Sequence, residues 1–198
     1  LKAMQDKGLS DIVELRYTDQ KASVKEFVAG WGAHSFSDHV LLIPQIKYNT
    51  NDSWELVSAL DGTNGWPIVH RADYAKGKLY VLTIPENVID LYHLPVDVLT
   101  RIKEILTPNM PAVLEAPGYT SLFVYDNNTV IVESFADETH QVKLALSNGF
   151  SKAKNLVSQD ELLGEKKEYP QRRKPAIIKT VLNLELKPHS FMVLQLEK

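Results

Sequence analysis

Short runs of alternating apolar and polar residues, separated by turn-forming clusters, dominate the second half of the chain. Val142, Leu144 and Leu146 alternate with polar neighbours, as is typical of a strand with one buried face. Asp126–Thr129 and Lys187–Ser190 are rich in residues that favour turns. Several short strands at this spacing predict a small antiparallel β-sandwich of about 80 residues.

The remaining segments of this half are predicted from their polarity. Gly164–Pro175 carries interspersed charges with five basic residues, and it predicts a solvated loop. A contact between this loop and an anionic partner is the alternative, which the nearly neutral chain disfavours. Val181–Leu186 and Phe191–Leu196 flank a turn and predict a final hairpin.

Partial alternation at the start of the chain predicts another hairpin. Asp11–Thr18 and Ser23–Ala29 would be its strands, although a loop followed by a helix also fits the pattern. Farther along, Val40–Tyr48 and Trp54–Leu60 flank a cluster of turn-forming residues and predict two strands that meet at a polar loop. Pro44 lacks an amide hydrogen and therefore predicts an edge position or a bulge for its strand.

A further hairpin and a helix are predicted next. Trp66–His70 and Lys78–Ile84 predict paired strands joined by a loop that contains Gly77, and the second strand is predicted to be central because it is apolar on both faces. Pro95–Leu106 begins with proline, which favours the first helical turn, and predicts an α-helix. The apolar stripe of this helix contains Val98, Leu99, Ile102, Ile105 and Leu106.

These elements predict a mixed α+β fold in two domains. Residues 1–117 would form an α/β segment with a mainly antiparallel sheet and one helix, and residues 118–198 would form a small antiparallel β-sandwich. The predicted boundary lies between Pro117 and Gly118, because proline and glycine interrupt regular structure. The chain starts with Leu1, and the residues before Gly8 resemble the end of a helix. We therefore expect a fragment of a longer protein, unless an initiator or tag was removed.

Composition excludes several functional classes. Among 198 residues, 22 are basic and 25 acidic, and the net charge of -3 is too near zero for a protein that holds nucleic acid through phosphate contacts. The absence of cysteine excludes thiol nucleophiles, disulfides and cysteine-ligated zinc. No apolar run approaches the roughly 20 residues of a membrane span, and no signal pattern is present, which predicts no membrane contact and a cytoplasmic location.

Motifs that carry their own chemistry are absent from the sequence. It contains no glycine-rich dinucleotide loop, no Walker loop, no His-Glu-x-x-His and no Gly-x-Ser-x-Gly. The six histidines lack the spacing of metal ligands, and Asp126–Thr129 lacks the glycine and the terminal glutamate of a calcium loop. We therefore predict no catalytic residue, no cofactor and no metal site.

One group of residues has the chemistry of a sugar-binding site. Aromatic faces stack on sugar rings, and amide and carboxylate groups bind hydroxyls. Two loops would have to fall on the same edge of the sheet to bring the group together. The candidates are Asn51, Asp52, Trp54, Trp66, His70, Asp73 and Tyr74. The alternative is that both tryptophans belong to the core and that the polar residues form turns.

The order of the segments resembles the C-terminal half of family 42 β-galactosidases. The resemblance rests on Tyr74–Ile84, the helix that follows and the closing Pro188–Leu196, and it covers about residues 38–198. It implies part of a glutamine-amidotransferase-like α/β domain that supports trimer contacts, followed by a small β domain. It also implies that the catalytic glutamates belong to an upstream (β/α)8 barrel, so that no catalytic residue carries over to this chain.

Three functional hypotheses follow, in decreasing order of preference. The first is a non-catalytic accessory C-terminal region of a bacterial-type, glycoside-hydrolase-like, carbohydrate-processing protein. Its expected partners are an upstream catalytic domain, a carbohydrate and further copies of itself in a homo-oligomer. The second is a carbohydrate-binding module that uses Trp54, Trp66 and Tyr74. The third is a self-contained hydrolase whose dispersed acidic residues meet in a cleft.

Overall fold

The chain divides into two compact units in a computed structural model, Leu1–Val98 and Leu99–Lys198. Compactness does not show which segment folds by itself, so the domain boundary predicted after residue 117 stays a prediction. The structure describes residues 2–3, 13–29, 34–50, 53–62, 64–74, 76–147, 149–171 and 174–198.

The described residues of the first unit form one antiparallel sheet of six strands. The strands are β1 (Lys2–Ala3), β2 (Val13–Ala29), β3 (His34–Thr50), β4 (Ser53–Asp61), β5 (Asn64–Tyr74) and β6 (Gly77–Leu82). β1 and β3 pair with β2, whose last residues also pair with β4. β5 and β6 then follow in order. The long strand β2 therefore connects the two sides of the sheet.

A single long strand replaces the hairpin predicted at the start of the chain. At the predicted turn, Asp19 takes a left-handed conformation with a φ of 50°, but this residue forms part of a bulge. The chain therefore continues in the same direction as one strand. Tyr17 pairs with Ile46, and Lys21 pairs with Pro44, so β2 has two more residues than β3 over this interval. The prediction for Pro44 is confirmed, because it lies beside this bulge on a strand that, in the described sheet, pairs with β2 alone.

The sheet curves so that the segment after β6 approaches β3. The amide of Thr83 donates to the carbonyl of Ile68 on β5 at 2.8 Å, and the amide of Glu86 donates to the carbonyl of Leu42 on β3 at 2.9 Å. The segment thus reaches both strands. The buried core of the unit includes Val24, Phe27, Leu41, Ile43, Val57, Ala59 and Ile68.

The mixed α+β fold predicted for the chain is wrong, because the described residues form mostly antiparallel strands, and the α/β character predicted for the first domain is wrong with it. The described strands pair in antiparallel fashion, whereas an amidotransferase-like segment needs parallel strands joined by crossover helices. Strands β3 and β4 are present but do not pair with each other, because β2 lies between them. β5 and β6 form the predicted hairpin, but β6 lies at the edge of the sheet. The apolar run in β6 was misleading, since its side chains stay partly exposed.

Two helices follow the sheet in the described part of the chain. They are a 3₁₀ helix at Val88–His93 and the α-helix α1 at Val96–Leu106. α1 begins directly after Pro95 and confirms the predicted helix. The predicted apolar stripe is wrong at its end, because Leu106 is 69% exposed whereas Val98 is fully buried. With eleven residues, the longest helix of the described ranges is too short to cross a membrane.

The second unit is a sandwich of two antiparallel sheets. Its strands are β7 (Ala112–Glu115), β8 (Thr120–Val124), β9 (Thr129–Ser134), β10 (His140–Leu146), β11 (Lys152–Asn155), β12 (Glu161–Leu163), β13 (Glu165–Gln171), β14 (Lys174–Leu186) and β15 (Phe191–Glu197). One sheet has the order β13-β14-β10-β7, and the other has the order β12-β11-β15-β9-β8. The core between the sheets includes Leu114, Val130, Val132, Leu144, Leu182, Leu184, Leu186 and Leu194.

Regular alternation in this unit gives the predicted strands. β8 and β9 pair across the turn predicted at Asp126–Thr129, where Asn128 has a φ of 63°. β10 buries Val142, Leu144 and Leu146, as the alternation predicts. These elements are confirmed because one face of each strand packs on the common core.

Two predictions for the second unit are wrong. The described part of Gly164–Pro175 is mostly strand and not a loop, since β13 and the start of β14 pair there, and the charged residues of β13 lie on an edge strand that tolerates them. β14 and β15 do not form a hairpin, because the turn at Lys187–Ser190 carries the chain from one sheet to the other. Turn-forming residues mark a reversal of the chain but do not distinguish a hairpin from a crossing between sheets.

Candidate functional site

The predicted site residues are distributed along two paired strands. Trp54 lies on β4, and Trp66, His70 and Asp73 lie on β5. Tyr74 ends β5, where its backbone pairs with Gly77. Asn51 and Asp52 lie outside the described residues, so their part in a site stays a prediction.

Strand alternation separates Trp54 from His70. Trp54 pairs directly with Arg71, and its neighbour Glu55 pairs directly with His70. Partners that lie opposite each other project to the same face of a sheet, and successive residues project to opposite faces. The β4–β5 pair therefore carries Trp54 and Arg71 on one face and Glu55 and His70 on the other.

Trp54 and Arg71 form a cation–π pair on the first of these faces. The guanidinium carbon of Arg71 lies 4.2 Å from the centroid of the Trp54 ring, which is 41% exposed. Tyr80 on β6 pairs with Arg71 from the other side and is 43% exposed. Asp73 also lies near, with Oδ1 3.9 Å from the Arg71 Nε. Because Arg71 covers one face of the indole, less of that ring is available for stacking.

Trp66 has a different environment from Trp54. It is half-buried and pairs with Ala59, a core residue of β4. Its Nε1 is buried and has no hydrogen-bond partner among the described residues. Packing against the core is therefore the main contribution of this side chain, and it lies away from the Trp54–Arg71 pair.

A polar cleft of about 380 Å³ lies on the His70 face, and we call it the β3–β5 pocket. Its lining consists of Gln45, Ile46, Lys47, Tyr48, Ser53, Glu55, Gly65, Pro67 and His70. His70 is 4% exposed, and its ring stacks on Tyr48 with a centroid distance of 3.8 Å and an interplanar angle of 14°. Of the predicted site residues that the structure describes, His70 is thus the one that lines the pocket.

The protonation states in the pocket follow from burial. Burial lowers the pKa of His70 from 6.5, although the charge of Glu55 opposes this shift. Burial also raises the pKa of Tyr48 from 10.0, and the nearby Thr83 hydroxyl offsets part of the rise. At neutral pH both side chains are uncharged. Glu55 is held in place because its Oε2 accepts a hydrogen bond of 2.8 Å from the Ser58 hydroxyl.

The sequence patterns do not predict which residues form this pocket. Tyr48 belongs to β3, whereas Glu55 and His70 belong to β4 and β5, and β2 lies between β3 and β4 in the sheet. The pocket arises only because the sheet curves and brings β3 toward β5. The sequence offers one signal. Because neighbouring residues of a strand project to opposite faces of the sheet, Glu55 has to lie on the face opposite Trp54.

The second unit contains another cleft, of about 180 Å³, beside α1. Glu104 lies at this cleft and accepts hydrogen bonds from Lys179 at 2.9 Å and from Arg101 at 3.1 Å. Burial alone would raise the pKa of Glu104, but the hydrogen bonds and charges of these two cations outweigh it and lower the pKa. Lys103 is directed elsewhere, with Nζ donating to the Leu114 carbonyl at 3.2 Å. Paired charges of this kind hold a helix on a sheet.

Neither cleft has the donor set of a metal centre. Among the described residues, no three or more histidine, aspartate or glutamate side chains are grouped so that they could hold a metal ion. Within the described ranges, the lining of each cleft contains one carboxylate, Glu55 in the first and Glu104 in the second. Glycoside hydrolysis requires two carboxyl groups in one cleft.

The architecture of the second unit is that of a two-sheet antiparallel β-sandwich, a class of small β-domain. Residues 111–196 match the family described as "Probable glycosyl hydrolase, C-terminal domain", and this part of the chain is similar to such a domain. Residues 1–87 match the family described as "Uncharacterized protein SSO3021, second domain". Among curated proteins and among solved structures, none matches the chain.

Proposed function

We propose that the chain is an accessory, non-catalytic region of a glycoside-hydrolase-like protein. The observation that carries this proposal is the match of residues 111–196 to a glycosyl hydrolase C-terminal domain, over the whole of the β-sandwich. A catalytic domain would lie upstream in the parent chain. In its finer form, the proposal assigns the parent to carbohydrate-processing enzymes of the family 42 β-galactosidase type.

The interior of the sandwich supports a structural role. Leu144, Leu184 and Leu194 meet at the centre of an apolar core that belongs to both sheets. A core of this kind stabilises a domain but supplies no group for acid–base chemistry. On α1, Glu104 is paired with Lys179 and with Arg101. These groups are therefore committed to holding the helix in place.

Hydrolysis assays on the isolated chain test this proposal. We expect no release of 4-nitrophenol from 4-nitrophenyl β-D-galactoside, β-D-glucoside or β-D-xyloside by the 198-residue chain, because the one carboxylate that the described lining of each cleft contains cannot act as both acid and nucleophile. The full-length parent is expected to hydrolyse one of these substrates. Its Glu55→Gln and Glu104→Gln variants should keep the parental kcat.

Two results would contradict the accessory role. The first is turnover by the isolated chain that disappears in the Glu55→Gln variant, which would support the self-contained hydrolase instead. The second is a parent that has no glycosidase activity with any of the three substrates. Size-exclusion chromatography of the parent, with and without residues 1–198, tests the proposed contribution to a homo-oligomer in the same preparations.

A further inference from the structure

The β3–β5 pocket contains polar groups that the fold itself does not use. The ring nitrogens of His70 make no hydrogen bond to other described residues, although the residue is only 4% exposed. The hydrogen bond from Ser58 occupies Oε2 of Glu55, and within the described residues no hydrogen bond reaches Oε1. Glu55 is exposed, so its Oε1 is open to solvent, but a buried imidazole normally has partners, and His70, which has no hydrogen-bond partner among the described residues and lies beside a cleft, therefore indicates a ligand.

The chemistry of these groups selects the class of ligand. A neutral imidazole offers one donor and one acceptor, and the Glu55 carboxylate offers acceptors only. Ser53 adds a hydroxyl that both donates and accepts. Ligands rich in hydroxyl groups match such a mixture because each hydroxyl is donor and acceptor at once. The Glu55 charge disfavours anions, and one carboxylate with Lys47 in the same lining is a poor site for a cation.

The shape of the pocket limits the size of the ligand. Its volume of about 380 Å³ lies near the lower end of the roughly 300–1,000 Å³ that ligand pockets span. The Tyr48–His70 stack gives the pocket a rigid aromatic wall, since each ring fixes the other. A small, rigid, polar pocket suits one sugar ring rather than an extended chain.

We propose that the β3–β5 pocket binds one ring of a neutral sugar, with Glu55 and His70 as the hydrogen-bonding residues. The site lies in the first unit, outside the residues that match the glycosyl hydrolase C-terminal domain. It is therefore independent of the accessory role proposed above. Binding without hydrolysis is expected, because Glu55 is the one carboxylate among the described residues of this lining.

Nuclear magnetic resonance of the histidine side chains tests this site directly. The probes are methyl β-D-galactopyranoside, methyl β-D-glucopyranoside and myo-inositol, with choline and inorganic phosphate as charged comparisons. We expect one of the hydroxyl-rich probes to shift the imidazole signals of His70 in a saturable way, while those of the exposed His39 stay unchanged. Choline and phosphate should shift neither.

A pair of carboxylate variants separates the pocket from the rest of the strand. Glu55→Gln should weaken sugar binding about tenfold, because a hydrogen bond to a charged acceptor is replaced by one to an amide. Asp61→Asn, on the same strand but exposed and outside the pocket, should leave the affinity unchanged. Ser53→Ala provides a second variant of the lining.

Three results would overturn the sugar site. They are the absence of any His70 shift at tens of millimolar sugar, equal affinity in wild type and Glu55→Gln, and saturable binding of choline or phosphate instead. The hydrolysis assays do not depend on these titrations. A failure of the sugar site and a failure of the accessory role are therefore distinguishable.

Discussion

The two units of this chain bury their β-sheets in different ways. In the second unit, two sheets cover each other, and the buried leucines of β10 and β14 meet the buried valines of β9 and the buried leucines of β15. In the first unit, one sheet with bulged strands curves so that its own segments cover it. The sandwich buries Thr129, Ser134, Asn155 and Thr180 with hydrogen-bond partners for their side chains, whereas the curved sheet leaves a buried histidine beside a cleft. Potential binding chemistry therefore lies in the less regular unit.

Tryptophan positions allow the two units to be observed separately. All three tryptophans, at positions 31, 54 and 66, belong to the first unit. Tryptophan emission therefore follows the first unit, whereas far-UV circular dichroism follows both. The predictions below use this difference, in order of decreasing expected effect.

The largest effect is expected from opening a cavity in the sandwich. Leu144→Ala removes a fully buried side chain from the middle of β10 and should cost about 2–5 kcal/mol of unfolding free energy. Denaturant titrations followed by circular dichroism measure the loss. Leu163→Ala is the matched control, because Leu163 is 75% exposed and should change stability by less than about 0.5 kcal/mol. Equal losses in both variants would contradict the assignment of the core.

The crossing between the two sheets at Gly164 is the next most sensitive position. A Cβ at Gly164 would lie 2.1 Å from the Thr180 Cγ2 and 2.7 Å from the Ser151 carbonyl oxygen, so Gly164→Ala should cost about 1–3 kcal/mol. In the first unit, Gly65→Ala meets only Glu55 Oε2 at 3.8 Å and should be tolerated. Thermal unfolding of both variants measures the difference. A tolerated alanine at 164 would show that the sandwich adapts more readily than its packing indicates.

The charge pair beside α1 should give a smaller, pH-dependent effect. The pKa of Glu104 is lowered from 4.5, so its contribution to stability is present above pH 4.5 and is lost as pH falls through the lowered pKa. Lys179→Met should therefore cost about 1–2 kcal/mol at pH 7 and progressively less below pH 4. Denaturation curves at several pH values measure this. Lys152→Met, at an exposed ion pair, should show no such dependence, and a pH-independent loss in Lys179→Met would contradict the role of the pair.

The smallest effect on unfolding stability should come from His70 in the first unit, at a higher pH than the effect of Glu104. The pKa of His70 is lowered from 6.5, so the folded state binds fewer protons than the unfolded state just below this pH. Stability should fall slightly as pH drops from 6.5 toward the lowered pKa, because Glu55 opposes the effect of burial. Tryptophan emission during urea unfolding follows this loss. His70→Gln should flatten the dependence, whereas the exposed His39→Gln should retain it. Retention in both variants would place the titrating group elsewhere.

The predictability of each unit from sequence follows its regularity. β10 and the hairpin β8–β9 were predicted because their buried positions repeat every second residue along short strands. In β2, the bulge at Asp19 interrupts that repeat, and one strand was predicted as two. Pro44 was interpreted correctly because its effect is local and does not depend on which strand lies beside it.

The candidate site was predictable only in part, for a similar reason. His70 was selected from its residue type, but its neighbours Tyr48 and Glu55 were not, because the curvature that brings β3 to β5 has no local signature. Trp54 and Trp66 were grouped by proximity in sequence, whereas their surroundings differ. Residue type thus identified one member of the pocket, and tertiary structure supplied the others.

The position of β15 has a consequence for synthesis of the chain. β15 lies between β11 and β9, and Gln195 pairs with Thr129, which precedes it by more than sixty residues. The five-stranded sheet therefore lacks its middle strand until residues 191–197 have left the ribosome. Until then β9 and β11 both expose unpaired edges, which other nascent chains could pair with. A chain released early, before Phe191, would therefore keep these two edges unpaired and be prone to aggregation.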